Sequence, residues 1–351
     1  MPEQITSSVV ARLDFADKLS NIAQVGGIET SVIDDGYARG TRIAWINTGS
    51  GLRYKVVIDR AMDVADAFYN QHALAWISAP GIMPAQFAAN RGADWLRSFG
   101  GGLFTTCGLS HVGGPESDEY GERGVHGMIS NSPASIESII QPDIISGQKT
   151  ISITGRIKEA KIFGPHLELR RTISSALGES WIEIHDEVTN RGNTTAPHML
   201  LYHFNFGWPL ADEGAELFYE GKMHYVNEER DKKIFINTNN YKVCPKPLKE
   251  HAGSGEAVAY FDIPADKEGK CVCGIENKKI GVRATLTFNK SELPWMTNWQ
   301  HWAPGEYVTG LEPGTHPPIG QSAARKNKTL LFIEPGDKRE YRVRVDVNGE
   351  R

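Results

Sequence analysis

The sequence predicts an all-β fold, a large antiparallel sandwich with few short helices, on three observations. Several segments alternate apolar and polar residues with the period of two that half-buried strands require. The 36 glycines and 18 prolines cut the chain into short pieces between turn signals. Helical periodicity is thin, and no strand–helix alternation points to a parallel sheet.

Taken in order, Leu52, Tyr54, Val56 and Ile58 share one face of a first strand. Residues 84–99 offer one short amphipathic helix through Phe87, Trp95 and Phe99, weakened by Gly92. Ile182 and Ile184 then oppose Glu183 and His185. Val282, Ala284, Leu286 and Phe288 alternate with Arg283, Thr285 and Thr287, and Val343, Val345 and Val347 with Arg342, Arg344 and Asp346. No composition shift or internal repeat divides the chain. A single domain over residues 1–351 is expected, with residues 1–40 as a candidate N-terminal extension packed on it.

The 351 residues carry 38 Lys+Arg against 43 Asp+Glu, a net charge of −5, with 40% hydrophobic and 23% charged residues. That balance suits a soluble globular chain with a sizeable core. It lacks the basic face of a nucleic-acid binder and any stretch of about 18 apolar residues that could span a bilayer. The start, MPEQITSSVVARLDFADK, lacks the basic flank and apolar core of a secretory signal, so a cytoplasmic location is expected. Four cysteines make no disulfide framework, and Cys271 and Cys273 are too close for a zinc knuckle, so buried thiols are expected.

Five segments concentrate polar and aromatic groups where loops are expected: Asp59–Asp63, Cys107–His111, Val125–Gly127, PHMLLYHFNFGWP and NWQHWAPGEYVTGLEPGTHPP. Each has an unremarkable reading beside the functional one. Arg60 between two aspartates suits a surface ion pair. His203 suits a hydrogen-bonded core histidine, and Trp299 and Trp302 suit packing. Glu312, after Val308-Thr309-Gly310-Leu311 at an apparent strand end, is a carboxylate that needs a reason to be there. No H-E-x-x-H, Walker, Rossmann or G-x-S-x-G motif is present, so no metal and no nucleotide cofactor are expected.

Together FGGGLFTTCGLSHVG, VHGMISNSPA, LLYHFNFGWP and YVTGLEPGTHPP resemble segments of the aldose 1-epimerase (galactose mutarotase-like) superfamily, in particular its bacterial DUF4432 branch. The resemblance runs from about Leu52 to the C-terminus. It implies the large supersandwich of that superfamily and an isomerase that interconverts the α and β anomers of a free sugar. It also implies roles: His203 in Tyr202-His203-Phe204-Asn205-Phe206 as general acid, Glu312 in Gly310-Leu311-Glu312-Pro313 as general base, and His126 in Val125-His126-Gly127 and Arg60 as sugar contacts. Asn205, Trp299 and His301 complete the expected substrate-binding set, and His111, His198 and His316 stay unassigned between ligand and scaffold. An additional sugar-holding Asp of the superfamily finds no secure match.

In such chemistry a base takes the anomeric hydroxyl proton while an acid protonates the ring oxygen. Glu312 is expected ionised and His203 protonated in the resting complex, each favouring the other's charge. The expected partner is a small sugar, with no nucleic acid and no membrane, and a homodimer is the candidate assembly. Two alternatives stand beside mutarotation: a non-catalytic carbohydrate-binding protein with the same groove, or an isomerase or lyase acting on an acidic or phosphorylated sugar.

Overall fold

A computed structural model describes residue 13 and residues 15–226, 228–237 and 240–349. The first twelve residues of the expected N-terminal extension lie outside them. Strands account for 48% of the chain and helix for 9%. Every strand pairing between named strands among the described residues is antiparallel.

Two large sheets face each other. The first runs, in spatial order, through Gly27–Val32, Arg42–Asn47, Leu52–Val57, Asp63–Tyr69, Phe104–Leu109, Ala196–Gly207, Glu306–Gly314, Trp295–Ala303, Ala257–Asp262 and Lys222–Val226. The second runs Ser135–Ile140, Thr150–Ala160, His166–Ala176, Trp181–Asn190, Lys338–Gly349, Val282–Asn289, Lys270–Asn277 and Glu216–Tyr219. Tyr54, Phe104, Tyr202 and Phe204 of the first sheet bury against Ile153, Leu169, Ile184 and Val345 of the second in one continuous apolar core.

The alternating segments form the expected strands, because period two is the one pattern a pleated strand can split between core and solvent. Leu52, Tyr54 and Val56 are fully buried while Arg53 is exposed, and Val343, Val345 and Val347 are fully buried. All four cysteines are free and buried.

The helix expected over residues 84–99 does not form. Two 3₁₀ turns, Phe87–Asn90 and Asp94–Arg97, stand in its place. Arg91 is extended between them, Gly92 takes φ +50°, and the Gly92 carbonyl accepts from Val125 N at 2.9 Å. Phe87 points to solvent, but Trp95 and Phe99 bury against the outer face of the first sheet.

Candidate functional site

The strand Ala196–Gly207 sorts its residues by parity. Leu200, Tyr202, Phe204 and Phe206 enter the core between the sheets. Met199, Leu201, His203 and Asn205 alternate with them and take the outer face, where Met199 and Leu201 join a second cluster with Trp95, Phe99 and Cys107. Leu201 pairs with Gly314 and Phe204 with Leu311, a register that sets His203 opposite Glu312. Thr105 pairs with His203 on one side, and Thr297 with Glu312 on the other. A polar row, Thr105–His203–Glu312–Thr297, therefore crosses four strands.

Glu312 lies within the strand Glu306–Gly314. Gly310, two residues before it, leaves room for the Glu312 carboxylate, which a Cβ there would displace. The His203 Nε2 and Glu312 Oε1 atoms are 3.3 Å apart, with side chains only 8% and 3% exposed. Glu312 receives no hydrogen bond from the described residues. Burial, with a smaller push from Glu256, raises its pKa well above the usual carboxylate range. Burial pulls His203 down to about 4, against a weaker upward pull from Asn205. Without a sugar, burial therefore drives both groups toward their neutral forms; the ion pair was expected for the complex.

Eleven buried side-chain nitrogen and oxygen atoms lack a hydrogen-bond partner among the described residues, and four belong to this patch: His203 Nδ1, Asn205 Oδ1, Thr297 Oγ1 and Glu312 Oε1. Buried polar atoms are normally satisfied, and leaving each unpaired costs about 1–3 kcal/mol. Four in two adjacent rows of one sheet is a preorganised set of contacts for a polar ligand.

Aromatic rings wall the set. Phe99 and Trp299 lie 5.3 Å from the His203 ring, and Trp76 bridges them at 5.8 and 6.0 Å. His126 is 6.1 Å from His203 and edge-on to Trp95 at 4.9 Å. His126 holds φ +55°, a left-handed conformation uncommon outside glycine, with Gly127 after it at +73°. Its Nδ1 accepts from Gly113 N at 3.3 Å, so the neutral ring carries its proton on Nε2, and burial keeps it neutral by lowering its pKa to about 3. His126 therefore offers one N–H donor.

The remaining expected contacts divide. Trp299 lines the site and donates Nε1–H to Glu256 at 2.8 Å. His301 lies one stacking step further out, its ring 6.1 Å from Trp299 and bonded to the Gly255 carbonyl at 2.5 Å. Asn205 spends its amide N–H groups on the Gly102 and His203 carbonyls, leaving only its oxygen. Arg60 is not in a surface ion pair: it is 7% exposed, Asp59 pairs with Arg42, and Asp63 with Arg171. Arg60 bonds the Ser130 and Met83 carbonyls, and burial lowers its pKa to about 10. The Ser130 hydroxyl receives Trp95 Nε1–H at 3.0 Å, so Arg60 reaches the site through Ser130 and Trp95.

His198 and His316 are scaffold. His198 bridges the Leu109 carbonyl and the Tyr341 hydroxyl; His316 bridges Thr315 and the Thr329 carbonyl. Sequence reasoning did not single out Trp76, Thr105 or Thr297 and took Trp95 and Phe99 for a helix face. The Trp295-x-Thr297-x-Trp299 alternation was the available signal for Thr297. Two cavities, of about 1140 and 1080 Å³, open elsewhere on the molecule, and neither is lined by His203 or Glu312. No group of three or more His, Cys, Asp or Glu side chains is placed to hold a metal ion among the described residues.

The two antiparallel sheets define a galactose mutarotase-like β-sandwich. A candidate aldose 1-epimerase from Klebsiella pneumoniae subsp. pneumoniae superposes with a TM-score of 0.81 at 22% identity, covering 92% of this chain and 83% of its own. A galactose mutarotase-like protein from Clostridium acetobutylicum gives 0.63 at 11% identity, covering 93% and 100%. A galactose 1-epimerase from Lactobacillus acidophilus gives 0.60 at 11% identity, with the same coverages. No curated protein matches the chain in sequence. The profile of DUF4432, a domain of unknown function, matches residues 38–347, and the chain belongs to that family.

Proposed function

We propose that the chain is an aldose 1-epimerase whose acid–base pair is His203 and Glu312. The observation that carries this reading is the cluster of unpartnered polar atoms around a directly facing histidine and carboxylate. A sugar presents hydroxyls that donate and accept at adjacent carbons, and its C–H faces suit the rings of Trp299, Trp76 and Phe99.

Sugar hydroxyls donating to the Glu312 oxygens supply the hydrogen bonds that the described residues do not. Such donors stabilise the carboxylate, so the pair's one proton moves to His203. Glu312 then takes the anomeric hydroxyl proton while His203 protonates the ring oxygen, and the C1–ring oxygen bond breaks to the open-chain aldehyde. After rotation about C1–C2 the two transfers reverse, and closure gives the other anomer. His126 Nε2–H holds a further sugar oxygen.

The test follows anomer interconversion by polarimetry across hexoses, pentoses and deoxy sugars. Acceleration of at least one aldose by the wild type, lost in both His203→Asn and Glu312→Gln, supports the reading. Binding of an aldose without acceleration would favour a carbohydrate-binding module, and full activity in either variant would refute the assigned pair.

A further inference from the structure

The signature that marks the His203–Glu312 patch recurs elsewhere. Of the eleven unpartnered buried polar atoms, four more gather at a different place: Asn90 Nδ2, Asn131 Oδ1, His111 Nδ1 and Arg325 Nε. Asn90, His111 and Arg325 line the cavity of about 1080 Å³, and Asn131 is bonded to Asn90. None of these residues belongs to the acid–base patch.

Each atom has a definite bonding sense. The His111 Nε2 nitrogen faces the Gly114 carbonyl at 2.7 Å, which can only accept, so Nε2 carries the proton and Nδ1 presents a lone pair. That lone pair sits 3.8 Å from a Glu116 carboxylate oxygen, another acceptor, in a side chain with no solvent exposure. The Asn131 amide donates to the Asn90 oxygen at 3.1 Å, which leaves the two N–H donors of Asn90 Nδ2 and the Asn131 Oδ1 acceptor without partners among the described residues. Arg325 donates to the Gln321 side chain at 3.1 Å and lies 3.8 Å over the Tyr120 ring, with no ion pair among the described residues. Neither acid lining the cavity pairs with it: Glu122 is exposed, and Glu159 spends its carboxylate on Leu109 N and the Ser110 hydroxyl, with burial raising its pKa. At the rim Tyr120 is 54% exposed and Phe163 wholly exposed.

We propose that this cleft is a second small-molecule site, for a polyhydroxylated anion of the sugar-acid or sugar-phosphate class. Its anionic group pairs with the Arg325 guanidinium. Its hydroxyls donate to His111 Nδ1 and accept from Asn90 Nδ2, a mixed demand that a hydroxyl meets and a simple anion does not. Tyr120 and Phe163 cover its C–H faces. The assignment does not depend on what the acid–base patch does. The two sites share a wall, because Gly113 lies next to His111 on one side while its N–H and C=O hold the His126 side chain and backbone on the other.

Calorimetric titration of the full chain with gluconate, glucose 6-phosphate, inorganic phosphate and uncharged glucose tests the proposal. Gluconate or glucose 6-phosphate, whichever matches the anionic group, should bind with a dissociation constant at or below roughly 1 mM, and phosphate and glucose should bind more weakly. Arg325→Gln should weaken that affinity about tenfold or more, the worth of a charge-assisted hydrogen bond. Asn90→Ala should weaken it less, and both variants should keep wild-type anomerase activity. Glu312→Gln should bind the anion as the wild type does. If Arg325→Gln unfolds, Arg325→Lys keeps the charge and tests the planar contact. No binding of either sugar anion at roughly 10 mM, unchanged affinity in both Arg325→Gln and Asn90→Ala, or loss of binding in Glu312→Gln would each overturn the assignment.

Discussion

Tyr202 and His203 are consecutive residues on one strand, and they open onto two buried polar regions of opposite character. On the core side, Arg171 is completely buried and fully engaged. It makes two bonds to Asp186, at 2.9 and 2.6 Å, and bonds Asp63, Thr106 and the Ala61 carbonyl, while Tyr202 donates to Asp186 at 2.7 Å. On the outer side, His203 and Glu312 face each other at 3.3 Å among aromatic rings, and His203 Nδ1 and Glu312 Oε1 have no hydrogen-bond partner among the described residues. Both regions take polar groups out of water: the first buries ions, at a cost of several kcal/mol each, and the second buries groups that burial drives toward neutrality. Only the first recovers that cost within the protein. A saturated buried network fixes structure, since nothing is left to bind; an unsaturated one leaves atoms free for a ligand.

The comparison breaks most sharply in opposite substitutions. His203→Asn should lower kcat by about 10²–10⁴-fold, the usual worth of a positioned proton donor, with little change in stability. Steady-state anomerisation and denaturant titration on the same sample read both quantities. A loss of stability without a loss of turnover would place His203 with the scaffold.

Arg171→Met should do the reverse. It strands Asp186 and Asp63 in the core, and breaking a buried pair this way costs about 3–5 kcal/mol, read as a lower urea midpoint. Turnover per folded molecule should stay near the wild type. Loss of less than about 1 kcal/mol would show that the network relaxes without its cation.

Acid sharpens the contrast. Burial lowers the pKa of His126 and His198 to about 3 and of His203 to about 4, whereas an unfolded histidine titrates near 6.5. Between those values the unfolded chain binds more protons than the folded one. Stability should therefore be fully present above about pH 6.5 and fall as pH drops toward 4, by up to about 1.4 kcal/mol per pH unit for each histidine. A thermal-unfolding series from pH 7.5 to 4.5 measures it, and His198→Gln should flatten the slope without touching turnover.

The smallest effect is the most diagnostic for Glu312. Its raised folded-state pKa means that, above about pH 4.5, the unfolded chain has already released a proton that the folded chain still holds, or carries as a poorly solvated charge. Glu312 thus destabilises the fold at neutral pH, and Glu312→Gln should stabilise it by about 1 kcal/mol while abolishing turnover. A lower midpoint would show that Glu312 has a structural partner.

The strands and three residues of the candidate site were legible in the sequence, for different reasons. Period-two alternation reports which face of a strand is buried, so Leu52–Val57 and Lys338–Gly349 could be read directly. His126, His203 and Glu312 came from short motifs. Thr105, Thr297 and Trp76 stayed hidden because cross-strand register, which sets who stands beside His203, is absent from any one segment. The helix expected over residues 84–99 failed because Gly92 and its bond from Val125 favour two separate turns. The surface ion pair that suited Arg60 does not form, because the partners of Asp59 and Asp63, Arg42 and Arg171, approach from other strands. The proton states of His203 and Glu312 follow from burial, which composition does not report.

The central claim is that a sugar completes the unpartnered atoms around His203 and Glu312, and a crystal structure of Glu312→Gln soaked with an aldose tests it most directly. The account predicts a sugar ring bounded by Trp299 and Phe99, with its anomeric and ring oxygens within about 2.6–3.2 Å of residues 312 and 203. A sugar bound only in one of the two larger cavities, with the pair untouched, would contradict it.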